Sequence, residues 1–106
     1  ASAITSTGTI AVASGATLAV TGALQNNTDP NGASSVTVSG TATVGGAVTN
    51  QGAFTVNGAT GVVTASAGLN NSGTLTVNNA GGQLTVTGGD LTNSGSISNA
   101  GTITVE

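Results

Sequence analysis

Residues 52–72, GAFTVNGATGVVTASAGLNNS, and residues 73–94, GTLTVNNAGGQLTVTGGDLTNS, are two copies of one phrase. Gly52-Ala-Phe-Thr-Val-Asn57 aligns with Gly73-Thr-Leu-Thr-Val-Asn78, Gly61-Val-Val-Thr64 with Gly82-Gln-Leu-Thr85, and Leu69-Asn-Asn-Ser72 with Leu91-Thr-Asn-Ser94. The period is about 21 or 22 residues, and a fixed period of that size marks a stacked-repeat architecture. Upstream, Gly40-Thr-Ala-Thr43 and Val48-Thr-Asn-Gln51 match the second half of the phrase, while Val36-Thr-Val38 matches its first half with a one-residue slip. Gly8-Thr-Ile-Ala-Val12 opens another copy, continued by Leu18-Ala-Val-Thr-Gly22. The units read 8–27, 32–51, 52–72 and 73–94, with partial units at 1–7 and 95–106 and an insertion at 28–31. Asp29-Pro30-Asn31-Gly32 has the chemistry of a surface turn.

Within each unit apolar residues alternate with Thr, as in Leu75/Val77, Leu84/Val86 and Ile103/Val105. A period of two sets the apolar side chains on one face, the pattern of a half-buried strand. Thr, Val and Ile total 36 of the 106 residues; their branched Cβ atoms suit a pleated surface and lose rotamer freedom in a helix. Each unit therefore predicts three short strands joined at Gly-, Asn- and Ser-rich corners, with essentially no helix. A unit this short cannot bury its inward face alone. Coiled so that copies stack about 4.8 Å apart, the units share one narrow core beneath continuous parallel ladders.

The expected fold class is all-β: a single parallel β-solenoid (β-helix) domain over residues 1–106, of about five coils with 20–22 residues each. Its core is expected from Ile10, Val12, Leu18, Val20, Val38, Phe54, Val56, Val63, Leu75, Val77, Leu84, Val86, Leu91, Ile103 and Val105. Phe54, the only aromatic residue, reads as a core filler. The competing all-β fold is an antiparallel sandwich, against which the slipping repeat argues.

Composition excludes whole classes of chemistry. There is no Lys, Arg, His, Cys, Met, Trp or Tyr, so the chain has no thiol or imidazole nucleophile, soft metal ligand or cationic phosphate clamp. The reading is not an enzyme, with no catalytic residue, no cofactor and no metal. Asp29, Asp90 and Glu106 are the only charged side chains, for a net charge of −3. Nucleic acid and anionic membrane surfaces are thereby excluded as electrostatic partners. The longest apolar-leaning stretch, Thr9 to Leu24, is too short and too polar for membrane insertion. A small-molecule ligand is not expected. Ala1-Ser2-Ala3 reads as a mature end left by removal of a signal segment, so the expected location is extracellular, secreted to the cell surface.

The phrases Asn50-Gln-Gly-Ala-Phe-Thr-Val56, Asn71-Ser-Gly-Thr-Leu-Thr-Val77 and Asn99-Ala-Gly-Thr-Ile-Thr-Val105 resemble the coils of secreted bacterial β-helical surface and fibre proteins, of the autotransporter-passenger and filamentous-haemagglutinin type. The resemblance spans nearly the whole chain. It implies an extracellular, adhesin-like or biofilm-matrix-forming role. Those relatives are far longer and carry side domains, and no functional residue is carried over from them.

A solenoid's terminal coils expose unpaired backbone groups and apolar core, which isolated solenoids block with caps, charges, Pro or bulges. Here the segment around Ile4 is uncharged, and the run from Gly101 ends on one acid, Glu106. The two partial units sum to nearly one coil. The expected function is therefore a structural subunit of a homopolymeric filament, assembled head-to-tail, with the chain as its own partner. The expected polymerisation interface is Ala3, Ile4, Thr5 and Thr7 against Ile97, Thr102, Ile103, Thr104 and Val105.

Outward Thr and Asn in successive coils, Thr55/Thr76/Thr104 and Asn57/Asn78, are expected to stack as polar ladders along the axis. The same outward rows motivate a rival function. Thr74-Leu-Thr76, Thr85-Val-Thr87, Thr102-Ile-Thr104 and Ser35-Val-Thr37 resemble the Thr-x-Thr array of ice-binding β-solenoids, interrupted at Ala11 and Ala53. A third reading is a fragment of a larger secreted adhesin. Asp29 with Asn31 and Gly32 forms part of a calcium-loop pattern but lacks the required carboxylates. Asn26-Asn-Thr28 and Asn70-Asn-Ser72 match the glycosylation acceptor pattern.

Overall fold

Alternation of apolar and small polar residues over three or four positions, then Gly or Asn, dictates strands that end as soon as they begin. The computed structural model describes residues 2–28 and 34–106. Coil 1 comprises β1 (Ile4–Ser6), β2 (Thr9–Val12) and β3 (Thr17–Val20). Coil 2 comprises β4 (Leu24–Asn26), β5 (Ser35–Val38) and β6 (Thr41–Val44), and coil 3 β7 (Val48–Asn50), β8 (Ala53–Val56) and β9 (Val62–Ala65). Coil 4 comprises β10 (Leu69–Asn71), β11 (Thr74–Val77) and β12 (Gln83–Val86), and coil 5 β13 (Leu91–Asn93), β14 (Ser96–Asn99) and β15 (Thr102–Val105). No helix occurs among the described residues.

Each strand pairs in parallel with its counterpart one coil away. The result is three five-stranded sheets, ordered β1-β4-β7-β10-β13, β2-β5-β8-β11-β14 and β3-β6-β9-β12-β15. This is the all-β parallel solenoid that the repeat dictates, and the sandwich is excluded. The repeat boundaries Gly8, Gly52, Gly73 and Gly95 fall at one structural place, the corner between the first and second sheets.

Side chains alternate in and out, and like stacks on like. In the second sheet Ile10, Val36, Phe54, Leu75 and Ile97 form one inward row, and Val12, Val38, Val56, Val77 and Asn99 form the other. In the third sheet the inward rows are Leu18, Ala42, Val63, Leu84, Ile103 and Val20, Val44, Ala65, Val86, Val105. The inward alanines, Ala42 and Ala65, lie one coil below Phe54 and level with it. That placement keeps the cross-section constant around the largest side chain.

Coils 2 to 4 supply most of the fully buried core, including Leu24, Val36, Val48 and Leu69, which alternation alone did not single out. Ile10, Leu18, Leu91 and Ile103, expected in the core, are only partly buried. Val105 is 50 % exposed. The reason is common to all five: they belong to the first and last coils and are covered from one side only. Five coils at about 4.8 Å per step give a stack of about 24 Å. The chain measures 34 × 27 × 25 Å, so a single copy is a squat block.

Candidate functional site

The two end faces of the stack carry the polymerisation residues expected from sequence. β1, β2 and β3 are the edge strands at one end and β13, β14 and β15 at the other. No described strand pairs with their outer sides. Ile4 on β1, Ile97 on β14 and Ile103 on β15 point inward and are half-buried, while Val105 closes the inward row of the third sheet. Thr5, Thr102 and Thr104 occupy outward positions, so they contribute edge backbone rather than packing. Ala3 and Thr7 flank β1 and are exposed. The face at the first coil is larger than the segment 1–7 taken from the sequence. β2 and β3 complete it, adding the half-buried Ile10 and Leu18, while Val12 and Val20 on the same strands are already buried within the copy.

One interior feature escaped the sequence reading. The last residue of each first-sheet strand turns inward at the corner, giving the row Ser6, Asn26, Asn50, Asn71, Asn93. Asn26 Nδ2 donates to Asn50 Oδ1 at 2.7 Å, Asn50 Nδ2 to Asn71 Oδ1 at 2.7 Å, and Asn71 Nδ2 to Asn93 Oδ1 at 2.8 Å. The amides also fasten the corner backbone: Asn26 Nδ2 donates to Ala53 O, Asn50 Nδ2 to Gly52 O and Thr74 O, and Asn71 Nδ2 to Gly73 O and Ser96 O. Asn26, Asn50 and Asn71 have no exposed surface. A buried amide is tolerated where its donors and acceptor are used, as they are at Asn50 and Asn71.

The row ends differently at its two extremities. Asn93 Nδ2 donates only within its own coil, to Gly95 O at 3.1 Å. At the other end Ser6 replaces Asn, and its Oγ accepts from Gly8 N–H at 3.1 Å. Asn26 Oδ1 is buried and has no hydrogen-bond partner among the described residues. The sequence signal for the row was an apolar residue, any residue, then Asn, as in Val48-Thr-Asn50, Leu69-Asn-Asn71 and Leu91-Thr-Asn93. Asn is equally a turn former, so in sequence the same residues read as corners.

The outward rows partly differ from expectation. Thr55 and Thr76 are register neighbours in the second sheet, joined by Thr37. Thr104 does not continue that row. It pairs with Thr85 in the third sheet. The phrase Asn99-Ala-Gly-Thr-Ile-Thr-Val105 imitates the corner between the first and second sheets, yet it lies one corner later, because coil 5 turns from β14 to β15 through only Ala100 and Gly101. Asn57 and Asn78 occupy equivalent corners but do not bond each other: Asn57 Nδ2 donates to Ser39 Oγ and Asn78 Oδ1 accepts from Gly58 N–H.

The Thr-x-Thr pairs are divided between faces. Ser35/Thr37 and Thr74/Thr76 lie on the second sheet, and Thr85 and Thr102/Thr104 on the third. On the third sheet Thr43, Thr64, Thr85 and Thr104 are continuous, but the row beside them reads Thr17, Thr41, Val62, Gln83, Thr102. No sheet presents two unbroken threonine rows.

The glycosylation pattern at Asn26 falls on a side chain sealed in the amide row, whereas Asn70 is exposed. The calcium pattern at Asp29, Asn31 and Gly32, and most of the insertion 28–31, lie outside the described residues. Among the described residues no pocket is present, and no group of three or more acidic side chains gathers.

Fold and ends together define a parallel β-solenoid whose two terminal coils are in phase with each other. No family model matches the chain, and neither a curated protein nor a solved structure matches it.

Proposed function

We propose that this β-solenoid is a structural subunit of an extracellular homopolymeric fibre, in which coil 5 of one copy seats on coil 1 of the next. One observation carries the reading. β1, β2 and β3 at one end and β13, β14 and β15 at the other are edges of the same three sheets, in the same order, over half-buried inward Ile and Leu. Edges managed against association carry Lys, Pro or inward charge, and these six strands carry none. Asp90 and Glu106 both belong to coil 5, so head-to-tail stacking sets them against an uncharged coil, whereas tail-to-tail stacking would oppose like charges. A heterologous contact that does not close on itself grows into an open fibre.

The resemblance to secreted bacterial surface and fibre proteins supports an extracellular setting, as does a surface without Lys or Arg for trypsin to cleave. Electron microscopy and sedimentation of purified protein at increasing concentration test the reading. Threads with an axial repeat of about 24 Å, five coils per copy, are expected. Protein that stays monomeric at millimolar concentration would overturn it.

A further inference from the structure

Three of the corner glycines between the first and second sheets are sterically required. A Cβ on Gly73 would overlap the carbonyl oxygen of Gly52, one on Gly95 that of Gly73, and one on Gly52 the backbone and hydroxyl of Ser34. In each case the obstacle is the preceding coil; in coil 2 the same place is held by Ser34, stacked on Gly8, so the steric demand is that of coils 3 to 5. Gly8 holds the same corner in coil 1, yet a Cβ there meets nothing within 4 Å and its φ is not in the left-handed region. Nothing within the described chain demands glycine at this position.

The amide row shows the same one-sided incompleteness. Each Asn passes its Nδ2 toward the following coil, and Asn93 has no coil to pass it to. In the register that joins coils within the chain, the next coil's residue at this place after Asn93 is Ser6 of a second copy. Ser6 Oγ is an acceptor there, already taking the Gly8 N–H of its own coil, while Asn26 Oδ1, one coil on, has no partner among the described residues. A hydroxyl oxygen can accept more than one hydrogen bond, so Ser6 can receive the Asn93 amide of the preceding copy.

The apolar rows match in that register. Leu91 meets Ile4, Ile97 meets Ile10, Ile103 meets Leu18, and Val105 meets Val20. Only Asn99 opposes an apolar residue, Val12.

We infer that Gly8 and Ser6 set the register of the junction between copies: Gly8 is the space into which the Gly95 carbonyl of the preceding copy fits, and Ser6 receives its Asn93 amide. The occupant is a second copy of this chain, so the inference rests on the stacking reading above and refines it to one register.

Two variants test it. Gly8→Ala should leave the monomer's circular dichroism and melting temperature unchanged or slightly raised, while raising the critical concentration for assembly at least 100-fold. The chain has no cysteine, so Thr9→Cys with Ser96→Cys reports register directly. The two positions are four coil steps apart in one copy, about 19 Å, beyond the roughly 7 Å limit for a disulfide. They are neighbours only across the junction. Oxidation of assembled protein should give a ladder of covalent multimers. Assembly of Gly8→Ala at the wild-type critical concentration, or threads that give no covalent multimers, would overturn the register and leave stacking itself standing. Wild-type protein that never assembles would overturn both.

Discussion

Asn50 and Asn71 join side chain to side chain across two coils, Nδ2 to Oδ1 at 2.7 Å, with no exposed surface on either residue. Both amides also hold backbone carbonyls at the corner. The bond is therefore both a core contact and a brace for the turn between sheets. In a low-dielectric interior such a chain is strong when complete and costly when broken.

Asn50→Ala should break that chain in the middle. Asn71 Oδ1 loses its donor and Asn26 Nδ2 its amide acceptor, and a buried group without a partner costs about 1–3 kcal/mol. Urea unfolding should show a loss of about 2–4 kcal/mol. Asn70→Ala, at the exposed position next door, should stay within about 0.5 kcal/mol of wild type.

Ser6→Asn should stabilise the chain. An amide at this position supplies the donor that Asn26 Oδ1 lacks and extends the row by one member. A gain of about 1 kcal/mol is expected, read by calorimetry as a melting temperature higher by about 4–8 °C. No change in melting temperature would show that the row does not accept a fifth amide at its start.

Gly73→Ala and Gly15→Ala separate two reasons for glycine. At Gly73 the obstacle is the Gly52 carbonyl, and coils held at a fixed spacing cannot part at one corner; a loss of about 3 kcal/mol or more is expected. At Gly15 space is open but φ is 84°, so the cost is that of a left-handed alanine, about 1–2 kcal/mol. Thermal melts of the two variants side by side check the order.

Asn99→Val should tighten assembly. Asn99 sits at the end of the row Val12, Val38, Val56, Val77 and opposes Val12 of the next copy in the proposed register. Removing a polar group that burial would strand is worth about 1–2 kcal/mol, or roughly a tenfold lower critical concentration by sedimentation. A higher critical concentration would contradict the register.

Ice binding is a separable outcome. With Val62 and Gln83 interrupting the third sheet and Ala11 and Ala53 the second, no flat double row of hydroxyls exists to match a lattice. Thermal hysteresis of the monodisperse protein should be indistinguishable from buffer.

Much of the fold was legible because periodicity of two and a period near 21 each survive mutation of single residues. The glycines that open four of the units, Gly8, Gly52, Gly73 and Gly95, marked a real corner, whereas the unit start at 32 lies outside the described residues and Ser34 holds that corner. What failed was assignment among corners. Asn99-Ala-Gly101 and Asn71-Ser-Gly73 are the same local chemistry, since both Asn-x-Gly turns suit any sharp corner, and only the count of residues between β14 and β15 places Thr104 beside Thr85. The amide row failed for another reason: Asn50 and Asn57 look alike in sequence, but one turns into the core and the other bonds Ser39 at the surface. At the ends, Ile4, Ile97 and Ile103 were legible as apolar edge residues, whereas the vacancy beside Gly8 exists only in three dimensions.

The amide row runs one way. Every carboxamide from Asn26 to Asn93 presents oxygen toward coil 1 and nitrogen toward coil 5, and in parallel sheets the strands share that sense. A thread built from such blocks has two chemically unlike tips, one offering a hydroxyl and a glycine notch, the other an unspent N–H and a carbonyl. Elongation should then proceed at unequal speeds from the two tips, and a broken thread should heal only by rejoining in its original direction.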